Sequence, residues 1–146
     1  FDATSLGGRL VFIDVCSPHS PYSRGATEVL GTFALRHPEL VAFSWCPECT
    51  EEDAKAYLDT VRSEMPIVAG LQSMTEPLTL IPATPTLVVI DGAGALRLVT
   101  PGTYGERELL AVMAAPTPKA RGLLGRPQEG GASEPATSEP AAGRVD

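Results

Sequence analysis

The sequence predicts an α/β domain over residues 1–115, with a central mixed sheet flanked by helices. Two observations lead to this fold class. Apolar runs typical of strands alternate with helix-like segments early in the chain, which indicates parallel strands joined by right-handed crossovers. Later, an Asp-Gly turn separates two apolar runs, which indicates an antiparallel hairpin at one side of the sheet. The predicted order is β-α-β-α-β-(α)-β-β-α.

The first half of the chain contains two strand–helix pairs. Leu10–Val15 is a short, continuous apolar run and predicts a buried strand, and residues 20–37 follow it with apolar side chains at helical spacing. Leu40–Trp45 predicts the second strand. Thr50–Asp53 is typical of a helix start, because a capping residue precedes acids in the first turn, and this helix is predicted to end near Met65.

The second half contains three shorter strands and a final helix. Ile67–Ala69 predicts a short strand, and Gly70–Leu80 predicts a short helix or loop. Thr86–Ile90 predicts a strong strand that pairs through the turn with Leu96–Val99. Apolar spacing over Tyr104–Ala115 predicts the last helix.

Residues 116–146 differ in composition from the domain before them. They are rich in Pro, Gly, Ala, Ser and Glu and hold almost no large apolar residue after Leu124. Such a segment buries too little apolar surface to offset its conformational entropy, so it is predicted to be a disordered tail.

The charge distribution argues against some classes of partner. The formal net charge is −7, and it falls on the domain because acids and bases cancel within the tail. Nucleic acids and anionic membranes bind basic surfaces, so neither is expected as a partner. No apolar run approaches the roughly 20 residues that span a bilayer, so no membrane insertion is expected. The chain begins at Phe1, from which we expect a processed product.

Two short motifs carry the chemistry that the sequence offers. Ser17-Pro18-His19-Ser20, the serine motif, follows the first strand, and Cys46-Pro47-Glu48-Cys49, the cysteine motif, follows the second. Each opens a predicted helix, and a helix N-terminus favours the thiolate form of a cysteine. The serine motif has oxygen at both positions where a redox dithiol would need sulfur.

A third motif carries a resemblance to a known family. Thr84-Pro85-Thr86 leads into a buried strand and an Asp-Gly hairpin, and this arrangement resembles the cis-proline loop of thioredoxin-like proteins. Because cis peptide bonds are costly except before proline, we expect Pro85 to carry the cis bond. The resemblance implies a thioredoxin-like fold in which this loop packs against the redox motif and binds thiol substrates.

Over residues 10–115 the chain is similar to the exported TlpA/ResA-like group of thiol–disulfide oxidoreductases. The serine motif, Met65–Val68 and Thr84–Thr86 occur in the order that this group shows. The similarity implies exchange through a mixed disulfide with protein thiols, and no organic cofactor. It also implies a periplasmic or otherwise exported protein, with the cytoplasm as the alternative location. We expect a monomer.

Two alignments with this family remain open. In the preferred one, the serine motif occupies the redox position opposite Pro85, as a Cys-Pro-His-Cys motif with both sulfurs replaced by oxygen, naturally or by engineering. In the other, the cysteine motif is the redox motif and Leu10–Val15 is an additional first strand. The segment between Cys49 and Pro85 is short for the second alignment.

Three functional hypotheses follow. The first is a thiol–disulfide oxidoreductase, whose activity would depend on Cys46 and Cys49. The second is a non-catalytic binding module that uses the serine motif and Pro85. The third is a Zn or Cu site formed by Cys16, His19, Cys46 and Cys49, because the ends of neighbouring parallel strands lie together.

The states of the three cysteines and the roles of Cys16 and Asp14 have alternative interpretations. The cysteines can form one disulfide and leave one thiol, remain three thiols, or bind a metal ion. Cys16 is either a small buried apolar residue or an exchange partner of the cysteine motif. Asp14, inside an apolar strand, is either a buried proton relay or a strand-end acid in contact with solvent.

Overall fold

The computed structural model describes residues 7–70 and 83–116. In chain order its elements are β1 Val11–Val15, α1 Pro21–Arg36, β2 Val41–Cys46, α2 Glu51–Val61, β3 Ile67–Ala69, β4 Thr86–Ile90, β5 Leu96–Pro101 and α3 Glu106–Ala114. These are the elements predicted for this part of the chain, with ends that differ by a few residues. The prediction for Gly70–Leu80 falls almost entirely outside the described residues, as does the predicted tail beyond residue 116. The division at residue 115 stays a prediction.

The five strands form one mixed sheet with β1 at its centre. The strand order is β3-β2-β1-β4-β5. β1 is parallel to β2 and antiparallel to β4, so Val15 lies opposite Trp45 on one side and Thr86 on the other. This register brings the C-terminal ends of β1 and β2 together and places the start of β4 beside them. Both motifs and the Pro85 loop therefore meet at one end of the sheet.

The main core lies between the sheet and helices α1 and α3. Its largest fully buried side chains are Phe12 of β1, Leu30 and Phe33 of α1, Leu87 of β4 and Leu109 of α3. Burying a side chain of this size contributes about 1.5–3 kcal/mol. This core fixes α1 against the centre of the sheet and thereby sets the position of the serine motif at its N-terminus.

A second buried cluster attaches α2 to the ends of β1 and β2. It contains all three cysteines together with Ala54, Tyr57 and Val61 of α2. Side chains alternate between faces along a strand, so Cys16 and Cys46 lie on the same face as Phe12. A third cluster, centred on Val15, Trp45 and Val88, consists of strand residues on the opposite face.

The two helices that follow the motifs start differently. α1 has proline in its first turn, and its N-cap residue Ser20 makes no side-chain capping bond. α2 has a capping box in which the Thr50 side chain accepts from the Asp53 N–H and the Asp53 carboxylate accepts from the Thr50 N–H. In the part of the chain that the structure describes, no helix has the length and apolar character needed to cross a membrane.

Candidate functional site

The two motifs are adjacent turns of the same kind. The Ser20 N–H donates to the Ser17 carbonyl oxygen at 3.1 Å, and the Cys49 N–H donates to the Cys46 carbonyl oxygen at 3.3 Å. Between them, the Cys16 N–H donates to the Trp45 carbonyl oxygen at 2.9 Å and continues the pairing of β1 with β2. The predicted juxtaposition of these two strand ends is therefore present.

The serine motif contacts the Pro85 loop. The Ser20 hydroxyl donates to the Thr84 carbonyl oxygen at 3.2 Å, and the Thr84–Pro85 peptide bond is cis. On the other side of the motif, the Ser17 hydroxyl accepts from the His19 N–H at 3.4 Å. Both hydroxyl groups therefore hold backbone, and neither can form a disulfide.

The cysteine motif contains a disulfide. Cys46 and Cys49 are bonded, with their Cα atoms 5.4 Å apart, while Cys16 is a buried free thiol. Of the alternatives for the three cysteines, the structure shows one disulfide and one thiol. It does not support the hypothesis that the chain is a variant in which Ser17 and Ser20 have replaced the redox pair, because a CxxC disulfide is present.

A polar groove joins the two motifs. Its volume is about 270 Å³, and its walls are Pro18, His19, Arg24, Glu48, Cys49, Asp53, Ala56, Tyr57 and Thr60. Cys46 has no exposed surface, whereas Cys49 is 8% exposed. Cys49 is therefore the half of the disulfide that a molecule in the groove would meet.

The structure does not show the ligand set that the zinc or copper hypothesis needs. Cys16, Cys46 and Cys49 share one buried cluster, and His19 lines the groove with Cys49, so the four residues do lie in one region. Metal ligation needs thiolates, however, and two of the three sulfurs are joined in a disulfide. Within residues 7–70 and 83–116, no three His, Cys, Asp or Glu side chains form a group that fits a metal ion.

A buried polar network lies beneath the site. Asp14 has no exposed surface, and its Oδ2 accepts from the Thr27 hydroxyl at 2.6 Å and from the Ser44 hydroxyl at 3.4 Å. The Thr27 and Tyr57 hydroxyl oxygens are 2.7 Å apart. Asp14 is therefore buried, and of its two interpretations the contact with solvent is wrong. Because Tyr57 also lines the groove, the network extends from Asp14 to the groove wall.

Neither Thr27 nor Tyr57 was predicted as a polar partner of Asp14. The sequence places Tyr57 on an apolar helix face and gives no signal at Thr27. Their contact depends on how α1 and α2 pack, which local spacing does not encode. Tyr104 lies near enough to affect the pKa of Asp14, although within residues 7–70 and 83–116 neither its hydroxyl nor Asp14 Oδ1 has a partner in hydrogen-bonding geometry.

Burial determines the protonation of these groups. It raises the pKa of Asp14 above that of an ordinary carboxyl group, and the bonds from Thr27 and Ser44 oppose this only in part. Burial also raises the pKa of the Cys16 thiol to about 12, and the charge of Asp14 adds to this effect. The pKa of Tyr57 is raised by burial as well. Cys16 and Tyr57 therefore stay protonated near neutral pH.

Comparisons with known proteins identify the fold. No protein-family model matches the chain, and no curated relative does. Among solved structures, MTB DsbF is similar at a TM-score of 0.67 and 18% identity, covering 77% of this chain and 84% of its own. A thiol-disulfide isomerase from Corynebacterium glutamicum has a TM-score of 0.67 and 16% identity, with coverage of 77% and 84%.

A third similar structure is a secreted Mycobacterium tuberculosis disulfide oxidoreductase homologous to E. coli DsbE. Its TM-score is 0.65 at 16% identity, and the match covers 78% of this chain and 87% of that one. These identities are low, so the comparisons establish the architecture. They confirm the predicted thioredoxin-like fold.

Proposed function

We propose that this chain is a thiol–disulfide oxidoreductase that acts on protein thiols through Cys46 and Cys49. The observation that carries the proposal is the position of the disulfide: Cys49 lines the groove, while Cys46 is buried behind it. A CxxC disulfide at the start of a helix, beside a groove, has the arrangement that thiol–disulfide exchange requires. The similarity to a secreted disulfide oxidoreductase supports a periplasmic or otherwise exported location, and we propose that the chain acts there as a monomer.

The reaction proceeds in two exchanges. A thiolate of the substrate attacks Cys49 Sγ, so that a bond between substrate and Cys49 forms, the Cys46–Cys49 bond breaks, and Cys46 takes the electron pair and a proton. A second substrate thiolate then attacks the substrate sulfur of the mixed disulfide and releases Cys49. The substrate dithiol is oxidised to a disulfide, and Cys46 and Cys49 end as thiols.

The serine motif and Pro85 provide the surface on which the substrate binds. Pro18 and His19 line the groove together with Cys49, and the Ser20 hydroxyl of the same motif donates to the Thr84 carbonyl oxygen. In this proposal Ser17 and Ser20 act in binding and not in sulfur chemistry. Arg24, Glu48 and Asp53 give the groove charges of both signs, which suits a polar peptide segment.

A second candidate function is a binding module without turnover. The hydrogen bond from Ser20 to Thr84 favours it, because this bond joins the serine motif to the Pro85 loop at the centre of the sheet. In this case the disulfide only attaches the start of α2 to the end of β2. The groove would then hold an extended peptide and release it unchanged.

Catalysed reduction of insulin by dithiothreitol separates the two functions. We expect the wild-type protein to accelerate insulin precipitation and the Cys46→Ala/Cys49→Ala variant to show only the uncatalysed rate. Leu35→Ala is a matched control, because this side chain is 72% exposed near the far end of α1, and it should retain the wild-type rate. A wild-type rate equal to the uncatalysed one would overturn the oxidoreductase and favour the binding module.

A further inference from the structure

The third cysteine lies directly beside the disulfide. Asp14 pairs with Ser44 and Val15 pairs with Trp45 across β1 and β2. The next pair along the two strands is therefore Cys16 with Cys46. The bond from the Cys16 N–H to the Trp45 carbonyl oxygen extends the ladder to this position. All three sulfur-bearing side chains belong to one buried cluster. A thiol packed against a disulfide is the arrangement from which disulfide exchange starts.

We propose that Cys16 is a third exchange cysteine, which moves the internal disulfide from Cys46–Cys49 to Cys16–Cys46. Cys16 Sγ attacks Cys46 Sγ, the Cys16–Cys46 bond forms, and the Cys46–Cys49 bond breaks. Cys49 Sγ takes the electron pair and the proton that Cys16 has lost. No external oxidant or reductant is consumed, and the chain stays oxidised while Cys49 becomes a thiol in the groove.

The geometry favours Cys46 as the sulfur that is attacked. Neighbouring strands lie about 4.8 Å apart, and a disulfide spans Cα separations of roughly 4.4–6.8 Å, so register neighbours are within range. Attack on Cys46 also leaves the new thiol on Cys49, which is 8% exposed and lines the groove.

This exchange adds a second reaction class to the proposed function, on which it rests. An oxidised chain with a Cys49 thiol can attack a disulfide in a protein substrate. The Cys49–substrate bond forms, the substrate disulfide breaks, and the freed substrate thiol attacks a second substrate disulfide, which releases another substrate thiol. That thiol attacks the substrate sulfur bonded to Cys49, a new substrate disulfide forms, and Cys49 leaves as a thiol. The substrate's disulfides are rearranged without net oxidation or reduction, which is isomerisation.

The surroundings of Cys16 make the exchange slow near neutral pH. Burial and the charge of Asp14 raise the pKa of its thiol to about 12, although the hydrogen bond with Ser44 of β2 lowers it. The thiol in turn raises the pKa values of Tyr57 of α2 and Tyr104 before α3. Only the thiolate attacks a disulfide, so the rate should rise about tenfold for each pH unit below that pKa.

Alkylation of the native wild-type protein tests the exchange. The oxidised protein is incubated with iodoacetamide at pH 7 and at pH 9, without reductant, and its peptides are then mapped by mass spectrometry. We expect the label on Cys49 together with a Cys16–Cys46 disulfide, and faster labelling at the higher pH. A label on Cys16 with the Cys46–Cys49 bond intact would overturn the proposal, as would no label before denaturation.

Two variants provide a second measurement that does not depend on trapping. After reduction and reoxidation with glutathione disulfide, Cys49→Ser should form a Cys16–Cys46 disulfide. The matched variant Cys46→Ser should form no bond between Cys16 and Cys49. If Cys16 and Cys46 stay unpaired in Cys49→Ser, the exchange is excluded. Neither measurement uses a substrate, so failure here leaves the insulin result for the proposed function standing.

Discussion

The serine motif and the cysteine motif share a backbone turn but differ in the helix that follows. Both turns close with an N–H to carbonyl bond, at 3.1 Å in the serine motif and at 3.3 Å in the cysteine motif. α1 starts directly after Ser20 and has no acid in its first turn. α2 starts two residues after Cys49, and its first turn contains Glu51, Glu52 and Asp53.

Because of this difference, the cysteines do not lie at the helix N-terminus that would better stabilise a thiolate, which is that of α1. Acids in the first turn satisfy the positive end of the helix dipole, and they disfavour a thiolate at Cys49. The N-terminus of α1 has no such acids and contacts the Pro85 loop through Ser20, but it holds oxygen in place of sulfur. The two cysteines therefore precede the helix that starts with three acids, and the two serines precede the helix that starts with none.

Moving the dithiol to the serine motif should give the largest change in activity. We expect Ser17→Cys/Ser20→Cys, made in the Cys46→Ala/Cys49→Ala background, to reduce insulin faster than the wild-type protein. The turn already has the geometry of the disulfide-bonded one, and the first turn of α1 lacks acids. The measurement is the rate of insulin precipitation with dithiothreitol.

The matched control for this transfer is Ser17→Ala/Ser20→Ala in the same background. It has no dithiol at either motif and should show only the uncatalysed rate. If mass spectrometry shows a bond between the two new cysteines and insulin reduction still stays at background, the serine motif is not a redox position of this fold.

The sequence predicts the fold and the location of the site, but not which side chains of the site bond to one another. The order of the elements follows from local signals. These are continuous apolar runs such as Thr86–Ile90 and the turn residues that bound them, here Pro85 and Asp91. The choice between thiols, disulfide and metal at the cysteines depends on which side chains meet in space. The contact from Asp14 through Thr27 is likewise set by helix packing, and its ends lie on different elements.

Asp14 should make stability depend on pH. Its pKa is raised in the folded protein by burial, so the folded state holds a proton that the unfolded state releases above the ordinary carboxyl pKa. The contribution is present at low pH and is lost as pH rises through the raised pKa. Relative to Asp14→Asn, which cannot ionise, the wild-type protein should lose about 1.4 kcal/mol for each unit of the pKa difference.

Thermal unfolding of both proteins between pH 4 and pH 8 measures this effect. The gap in Tm in favour of Asp14→Asn should widen from the ordinary carboxyl pKa upward and then stay constant above the raised pKa. The exposed Asp59 of α2 is the matched site. The Tm difference between the wild-type protein and Asp59→Asn should stay constant over the same pH range. A wild-type protein that becomes more stable relative to Asp14→Asn as pH rises would contradict the raised pKa of the buried Asp14.

The smallest expected effect compares the two helix starts directly. The Thr50 hydroxyl donates to Asp53 Oδ2 at 2.7 Å and accepts from the Asp53 N–H at 3.1 Å, so Thr50→Ala removes a true cap and should lower the free energy of unfolding by about 1 kcal/mol. Among the described residues, Ser20→Ala removes only the bond to the Thr84 carbonyl. Because water can replace this partly exposed donor, we expect a loss below about 0.5 kcal/mol. Urea unfolding of the two variants ranks them, and a larger loss for Ser20→Ala would mean that the serine motif stabilises the fold through the Pro85 loop.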